Sequence, residues 1–236
     1  MLVAAAVCPC PPLLVPEVAS GAAPELDGLR AACLDAVAVL AAARPDRLVV
    51  LGPADSAGQG THPQGTAGSF RDLGVDVDVR LGHGDPAGDR ELPQSLAVAG
   101  WLLGRTDWAA APVEGLGVGD TLEAGRCLDT GRELVAGDDR VALLVMGDGS
   151  ACRTLKAPGY LDDRAEGFDA EAARALGAAD TGALAALDAE LAHELKAAGR
   201  APWQILAGAG EGAGLKGELL HDDAPYGVGY FVATWS

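Results

Sequence analysis

The apolar run Leu2 to Val7 passes straight into Cys8-Pro9-Cys10-Pro11-Pro12-Leu13-Leu14-Val15-Pro16-Glu17, and this junction constrains the fold more than any other stretch. The run has the length and composition of a buried strand. Proline has no N–H and fixes φ, so Pro9, Pro11 and Pro12 end a sheet ladder and hold the backbone extended. Cys8 and Cys10 are therefore expected on a stiff peptide at a strand end. In open α/β sheets, ligand sites form outside the carboxyl ends of strands.

The rest of the chain alternates strand and helix patterns. Leu26, Leu29, Cys33, Val37 and Leu40 recur at three- and four-residue steps, which predicts a helix from about Pro24 to Ala43. Arg47 to Leu51 reads as a short buried strand, followed by a Gly/Pro/Ser-rich loop from Gly52 to about Ser69. Loops of that length tend to be functional or mobile. Val75, Val77 and Val79 alternate with charged residues, as in a half-exposed strand. Further helices are expected over Leu92 to Leu103 and Leu122 to Val135, and further strands over Trp108 to Val113 and Val141 to Met146. Residues 153–170 read as irregular, and Glu171 to Ala198 as helical with a break near Asp180-Thr181-Gly182, where Asp180 or Thr181 suits an N-cap. Pro202 suits the first turn of a short helix from Trp203 to Ala209. Leu215 to His221 and Tyr226 to Trp235 close the chain as strands. This alternation predicts an α/β fold, a three-layer α/β/α arrangement around a mostly parallel or mixed central sheet. No internal repeat or linker divides the chain, so residues 1–236 read as a single domain.

Composition limits the partners. The formal net charge is −17. A surface that acidic repels phosphate backbones and anionic lipid, which argues against nucleic acid and membrane as partners. No apolar run approaches the roughly 18 residues of a membrane span. The start, Met1-Leu2-Val3-Ala4, lacks the basic region of a signal peptide, and five cysteines, an odd number, suit a reducing compartment. A cytoplasmic location is the expectation. Cys33 and Cys127 fall in the apolar patterns of helices and read as small hydrophobes. Cys8, Cys10 and Cys152 each sit beside a loop at a strand end.

Three segments resemble one family. The first strand running into Pro9-Cys10-Pro11-Pro12 and on to Pro16-Glu17 resembles the N-terminal signature of the class III extradiol ring-cleavage dioxygenases (the LigB-like superfamily), in which a strand meets Pro-His-Pro-Pro. Met146-Gly147-Asp148-Gly149-Ser150-Ala151 resembles the family's Gly-Asp-Leu-Ser-His. Ala224-Pro225-Tyr226-Gly227-Val228-Gly229-Tyr230-Phe231-Val232-Ala233 resembles its closing strand. The resemblance covers most of the chain and implies a LigB-like α/β fold. It also implies a site with two histidines and a glutamate around Fe(II), open to catechol and O2. Here the first iron-ligand position holds Cys10, and the second falls at Ala54 or Asp55. The glutamate falls at Ala197 or Ala198, with Glu194 one helical turn upstream, and the acid/base histidine is Ala151. The resemblance thus implies a relative whose usual iron ligands are replaced.

The residues left in that region carry two readings. Cys8, Cys10 and Cys152 could converge at neighbouring strand ends, joined by Asp55, Asp148 or His62. Such a soft set would suit Zn(II) or Cu(I) better than O2-activating Fe(II), with Cys10 and Cys8 as the metal ligands. A single thiolate could instead act as a nucleophile. Alternatively the thiols are small packing residues. Asp148, Cys152 and His62 are the candidate catalytic groups. Asp55, Ser150, Arg153, Lys156 and His221 are candidates for binding the substrate, the two cations because they could meet an anionic ligand. Tyr226 and Tyr230 read as core or as dimer packing, which leaves a homo-oligomer open. Function then lies between a divergent enzyme acting on a small aromatic or anionic molecule, a non-catalytic binding or scaffold protein, and a ring-cleaving dioxygenase with a rebuilt iron site.

Overall fold

A computed structural model describes residues 1–85 and 90–236. Its centre is a seven-stranded sheet in the order β3-β6-β2-β7-β1-β9-β8. The strands are β1 (Leu2–Cys8), β2 (Arg47–Pro53), β3 (Gly60–His62), β6 (Val113–Val118), β7 (Val141–Met146), β8 (Gly217–Asp223) and β9 (Tyr230–Trp235). A separate two-stranded sheet pairs β4 (Ala67–Ser69) with β5 (Asp78–Arg80). The helices are α1 (Pro16–Ala19), α2 (Asp27–Ala42), α3 (Gln94–Arg105), α4 (Ala124–Leu134), α5 (Ala165–Gly177), α6 (Thr181–Ala185), α7 (Ala189–Glu194) and α8 (Arg200–Gly210). β6, β2, β7 and β1 run parallel. β3 pairs antiparallel with β6, and β9 pairs antiparallel with both β1 and β8. The sheet is therefore mixed, with its parallel part in the middle.

Side chains alternate across this sheet and separate two cores. Ala5 and Val7 of β1, with Leu143 and Val145 of β7, face α4, α5 and α8, where they pack with Phe168, Trp203 and Leu206. Ala4, Ala6 and Cys8, with Leu144 and Met146, face α2 and α3, among Leu29, Leu40, Leu96 and Leu103. Sheet burial on both faces is what makes β1 and β7 read as continuous apolar runs rather than alternating ones.

Three expectations shift. Residues 108–112 do not form the strand expected there; the strand is Val113–Val118. Trp108 instead folds into a turn, its indole N–H donating to the Ala111 carbonyl at 2.8 Å. The true strand, Val-Glu-Gly-Leu-Gly-Val, hides its pattern behind glycine. A Cβ on Gly117 would stand 2.1 Å from the Gly58 carbonyl oxygen, so only glycine allows the loop after β2 to lie against β6. The valine alternation at 75–79 yields only Asp78–Arg80 as strand, and the long loop after β2 contains β3 and β4. The helix expected from Glu171 begins earlier, at Ala165, and breaks twice rather than once. Asp180 caps α6 by accepting from the Ala183 N–H, and Asp188 caps α7 by accepting from Glu190 and Leu191. Among the described residues, no helix is long and apolar enough to cross a membrane.

Candidate functional site

Four chain segments converge at the carboxyl ends of β1, β7 and β2. The proline-rich exit of β1 presents Cys10, and the exit of β7 presents Asp148. The exit of β2 presents Ala54 and Asp55, and the residues before α8 present Ala198. With Ser95 at the start of α3 they enclose a cleft of about 340 Å³. β7 lies between β1 and β2, so Asp148 stands at the middle of the cleft floor.

Local backbone bonding sets each wall. Pairing of Cys8 with Met146 continues past the strands, the Gly147 N–H donating to the Cys8 carbonyl at 3.0 Å. Asp148 then turns back, and its Oδ1 accepts the Cys10 N–H at 2.7 Å. This bond is available because Cys10 lies outside the ladder that the prolines end. On the other side, the Gly199 N–H donates to the Asp148 carbonyl at 2.8 Å. A Cβ on Gly147 would lie 2.4 Å from the Gly199 Cα, so contact between these two backbones depends on glycine. That contact carries Ala198 to the cleft. At the end of β2, Asp55 Oδ1 accepts the Gly58 N–H at 2.9 Å and shapes the turn. Ser95 Oγ donates to the Pro53 carbonyl at 2.7 Å and fastens α3 to β2.

The cleft is built around one perturbed carboxyl group. Burial raises the pKa of Asp148 to about 6, and the Cys10 N–H only partly offsets it. Burial, then the charges of Asp148 and Cys8, push the Cys10 thiol well above its usual range, so it is protonated at neutral pH. Burial first, and the Asp148 charge second, push up the phenol of Tyr230, which packs in the core beside both groups. The site at neutral pH is thus a mostly ionised carboxylate, with a minor protonated fraction, beside a neutral thiol. A thiolate nucleophile does not fit there.

Other candidates from the sequence lie elsewhere. Cys8 faces the α2 core beside Cys33, and interaction with Cys8, then burial, push the Cys33 thiol well above its usual range. Cys152 belongs to the opposite core, its Sγ 3.5 Å from the Leu195 carbonyl, so the sheet separates it from Cys10. His62 is buried on the edge strand β3. Its Nε2 lies 2.8 Å from the Gly58 carbonyl, and burial lowers its pKa, so it is a neutral packing group. Ser150 gives both its N–H and its hydroxyl to Asp169, at 2.7 and 2.8 Å. Arg153 pairs with the same carboxylate at 3.1 Å. Lys156 is exposed and outside the cleft wall, and His221 is half-buried on the edge strand β8, paired with Val232. Ala151 is buried and likewise outside the wall. Of the named candidates, the fold brings together Cys10, Asp55 and Asp148, with Ala54 and Ala198.

This donor set does not fit the implied metals. Among the described residues, no group of three or more His, Cys, Asp and Glu side chains is arranged to hold a metal ion. Alanine occupies the glutamate position that the resemblance implies, Ala54 or Asp55 the second histidine's, and Cys10 is left with Asp148 and the exposed Asp55. Neither a two-histidine, one-carboxylate iron site nor a thiolate zinc or copper site can be assembled from these residues.

Reading the sequence missed Ser95, Asp169 and Arg200. A signal for Asp169 was present: it interrupts the apolar face of α5 between Phe168 and Ala172, where a charge needs a buried partner. Arg200 likewise opens a helix that is buried throughout.

Fold and cleft together define a three-layer α/β/α protein with a seven-stranded mixed sheet and a cleft at the carboxyl end of its parallel centre. No protein-family model and no curated protein matches the chain. Among solved structures it is similar to the crystal structure of uncharacterized protein JW3007 from Escherichia coli K12. The TM-score is 0.53 at 13% sequence identity, over 99% of each chain. At that identity the likeness bears on the fold alone.

Proposed function

We propose that the chain is a divergent relative of the class III extradiol dioxygenases that binds a small hydroxylated molecule, such as a phenol or catechol, in the Asp148 cleft. The observation that carries this reading is the carboxyl of Asp148. One oxygen accepts a backbone N–H, the group borders an open cleft, and its pKa is about 6. Such a group can accept a hydroxyl proton when ionised and donate one when neutral. Of the positions that the resemblance assigns to the iron centre, Cys10, both Ala54 and Asp55, and Ala198 of the pair Ala197 or Ala198 line this same cleft. Ala54 and Ala198 give it apolar wall where a ring can rest. The cleft holds two carboxylates and no cationic side chain, which favours a neutral ligand over the anionic one considered from sequence.

Binding of 4-nitrocatechol, followed by its visible absorption, tests the reading. Wild type is expected to bind saturably, and Asp148→Asn at least tenfold more weakly, about the value of one charge-assisted hydrogen bond. Equal affinity in the two proteins would remove Asp148 from the site. Ring cleavage with added Fe(II) is expected to stay at background, and turnover on the order of 1 s⁻¹ would reinstate the dioxygenase reading.

A further inference from the structure

Arg200 and Arg30 are both buried, at 3% and 8% exposure. Arg30 has a carboxylate partner, Asp27. Arg200 has none among the described residues. Its guanidinium donates to the carbonyls of Leu122 and Asp120 and to Gln204 Oε1, all neutral acceptors. A buried charge without a counter-ion is costly, and one held by neutral oxygens remains attractive to an anion.

Arg200 also borders a cavity. A pocket of about 180 Å³ lies between the β6–α4 loop and the ends of α7 and α8, lined by Asp120, His193, Lys196, Ala198 and Arg200. His193 Nδ1 stands 3.5 Å from the Asp120 carboxylate, and the two cations Lys196 and Arg200 outnumber that single carboxylate in the lining. A positive pocket is unexpected in a chain with 34 acidic and 17 basic residues. Lys196 holds its place against local preference. It ends α7 at φ 55°, in a turn where the Ala197 N–H reaches the Ala192 carbonyl and the Lys196 N–H reaches that of His193. This is the left-handed position that glycine ordinarily takes after a helix. Arg200 is the first residue of α8, an 11-residue helix, so the pocket also lies at the positive end of a helix dipole.

We infer that this pocket binds a small oxyanion group, a carboxylate or a phosphate, between Lys196 and Arg200. The inference stands apart from the Asp148 reading, although Ala198 borders both cavities.

Calorimetric titration at low ionic strength, with inorganic phosphate and separately with acetate, tests it on the whole chain. Saturable binding of at least one anion is expected, with a dissociation constant on the order of 1 mM, and the stronger of the two names the group. Lys196→Gly is the informative variant, because it removes the ammonium while easing the backbone. It is expected to unfold at no lower a urea concentration than wild type, yet to bind the anion about tenfold more weakly. Asp120→Asn is expected to tighten binding about threefold by removing a like charge. Asp148→Asn is expected to leave anion affinity unchanged, so the two cavities are scored separately. The inference is overturned if wild type binds neither anion at ~50 mM, well above the expected range. It is equally overturned if Lys196→Gly and Asp120→Asn both match wild type, or if Asp148→Asn abolishes binding.

Discussion

The loop Gly147 to Ser150 carries one aspartate, Asp148, and is gripped by another, Asp169 of α5. Asp169 accepts the Ser150 N–H, the Ser150 hydroxyl and the Arg153 guanidinium. Burial holds its pKa up, and those three donors pull it back. Its oxygens are occupied, and the residue is 1% exposed. Asp148 accepts a single N–H and opens on a cleft. Both carboxyls are desolvated, but only one has been left room for another donor. A carboxylate satisfied by its own protein organises structure, whereas one with spare acceptor capacity beside a cavity can serve a ligand.

The largest expected effect follows from breaking the satisfied member. Asp169→Ala should destabilise by about 3 kcal/mol, because Ser150 and the partly buried Arg153 lose their acceptor together. Urea denaturation at pH 7 measures this. A loss under about 1 kcal/mol would show that the cluster does not hold the loop.

Asp148 should respond in the opposite direction. Its folded pKa of about 6 lies above the unfolded value near 4, so between those pH values only the folded chain retains the proton. Asp148 therefore contributes a loss of stability as pH rises from about 4 to 6, and that contribution is constant above pH 6. Asp148→Asn keeps an acceptor for the Cys10 N–H and removes the charge. It should be more stable than wild type by about 1–2 kcal/mol at pH 8, with the difference vanishing near pH 4. Denaturation curves at both pH values check the sign. A variant less stable than wild type at pH 8 would mean that Asp148 is a structural carboxylate like Asp169.

The smallest effect sharpens the link between Asp148 and Cys10. Burial is the main cause of the raised thiol pKa and the Asp148 charge the second. Alkylation of Cys10 by iodoacetamide at pH 8.5, followed by peptide mass spectrometry, should be slow in wild type. It should run about two- to threefold faster in Asp148→Asn, as a modest drop in thiol pKa implies. An unchanged rate would show that the carboxylate does not act on the sulfur.

Much of this site was visible in the one-dimensional pattern. The prolines at 9, 11 and 12 announce where β1 ends, and the apolar run 141–146 announces where β7 ends. Cys10 and Asp148 were therefore legible as strand-exit residues before any partner was known. The resemblance pointed to Ala54 or Asp55 and to Ala197 or Ala198, and of these Ala54, Asp55 and Ala198 line the cleft. His62, Ser150 and Cys152 were misplaced because each is near the site in sequence while its side chain is committed elsewhere. The Gly58 carbonyl holds His62, Asp169 holds Ser150, and the Leu195 carbonyl lies against Cys152. Sequence distance does not report which face of a sheet a side chain takes once the strand has ended.

The sequence by itself determined the alternation of strands and helices, most of their limits and the strand exits that border the cleft. These follow from local preferences: apolar periodicity, proline's missing N–H, and aspartate's ability to cap a helix or turn. Only the tertiary structure decided that β7 lies between β1 and β2, that the thiols fall on opposite faces, and that Asp169 is satisfied while Asp148 is not. It alone placed Arg200 in a buried position without a carboxylate partner among the described residues. Those facts depend on strand order and on approaches between segments 50 to 140 residues apart, such as Cys10 with Asp148 and Gly147 with Gly199. Long-range packing chooses among locally equal alternatives, and no window of sequence contains both partners.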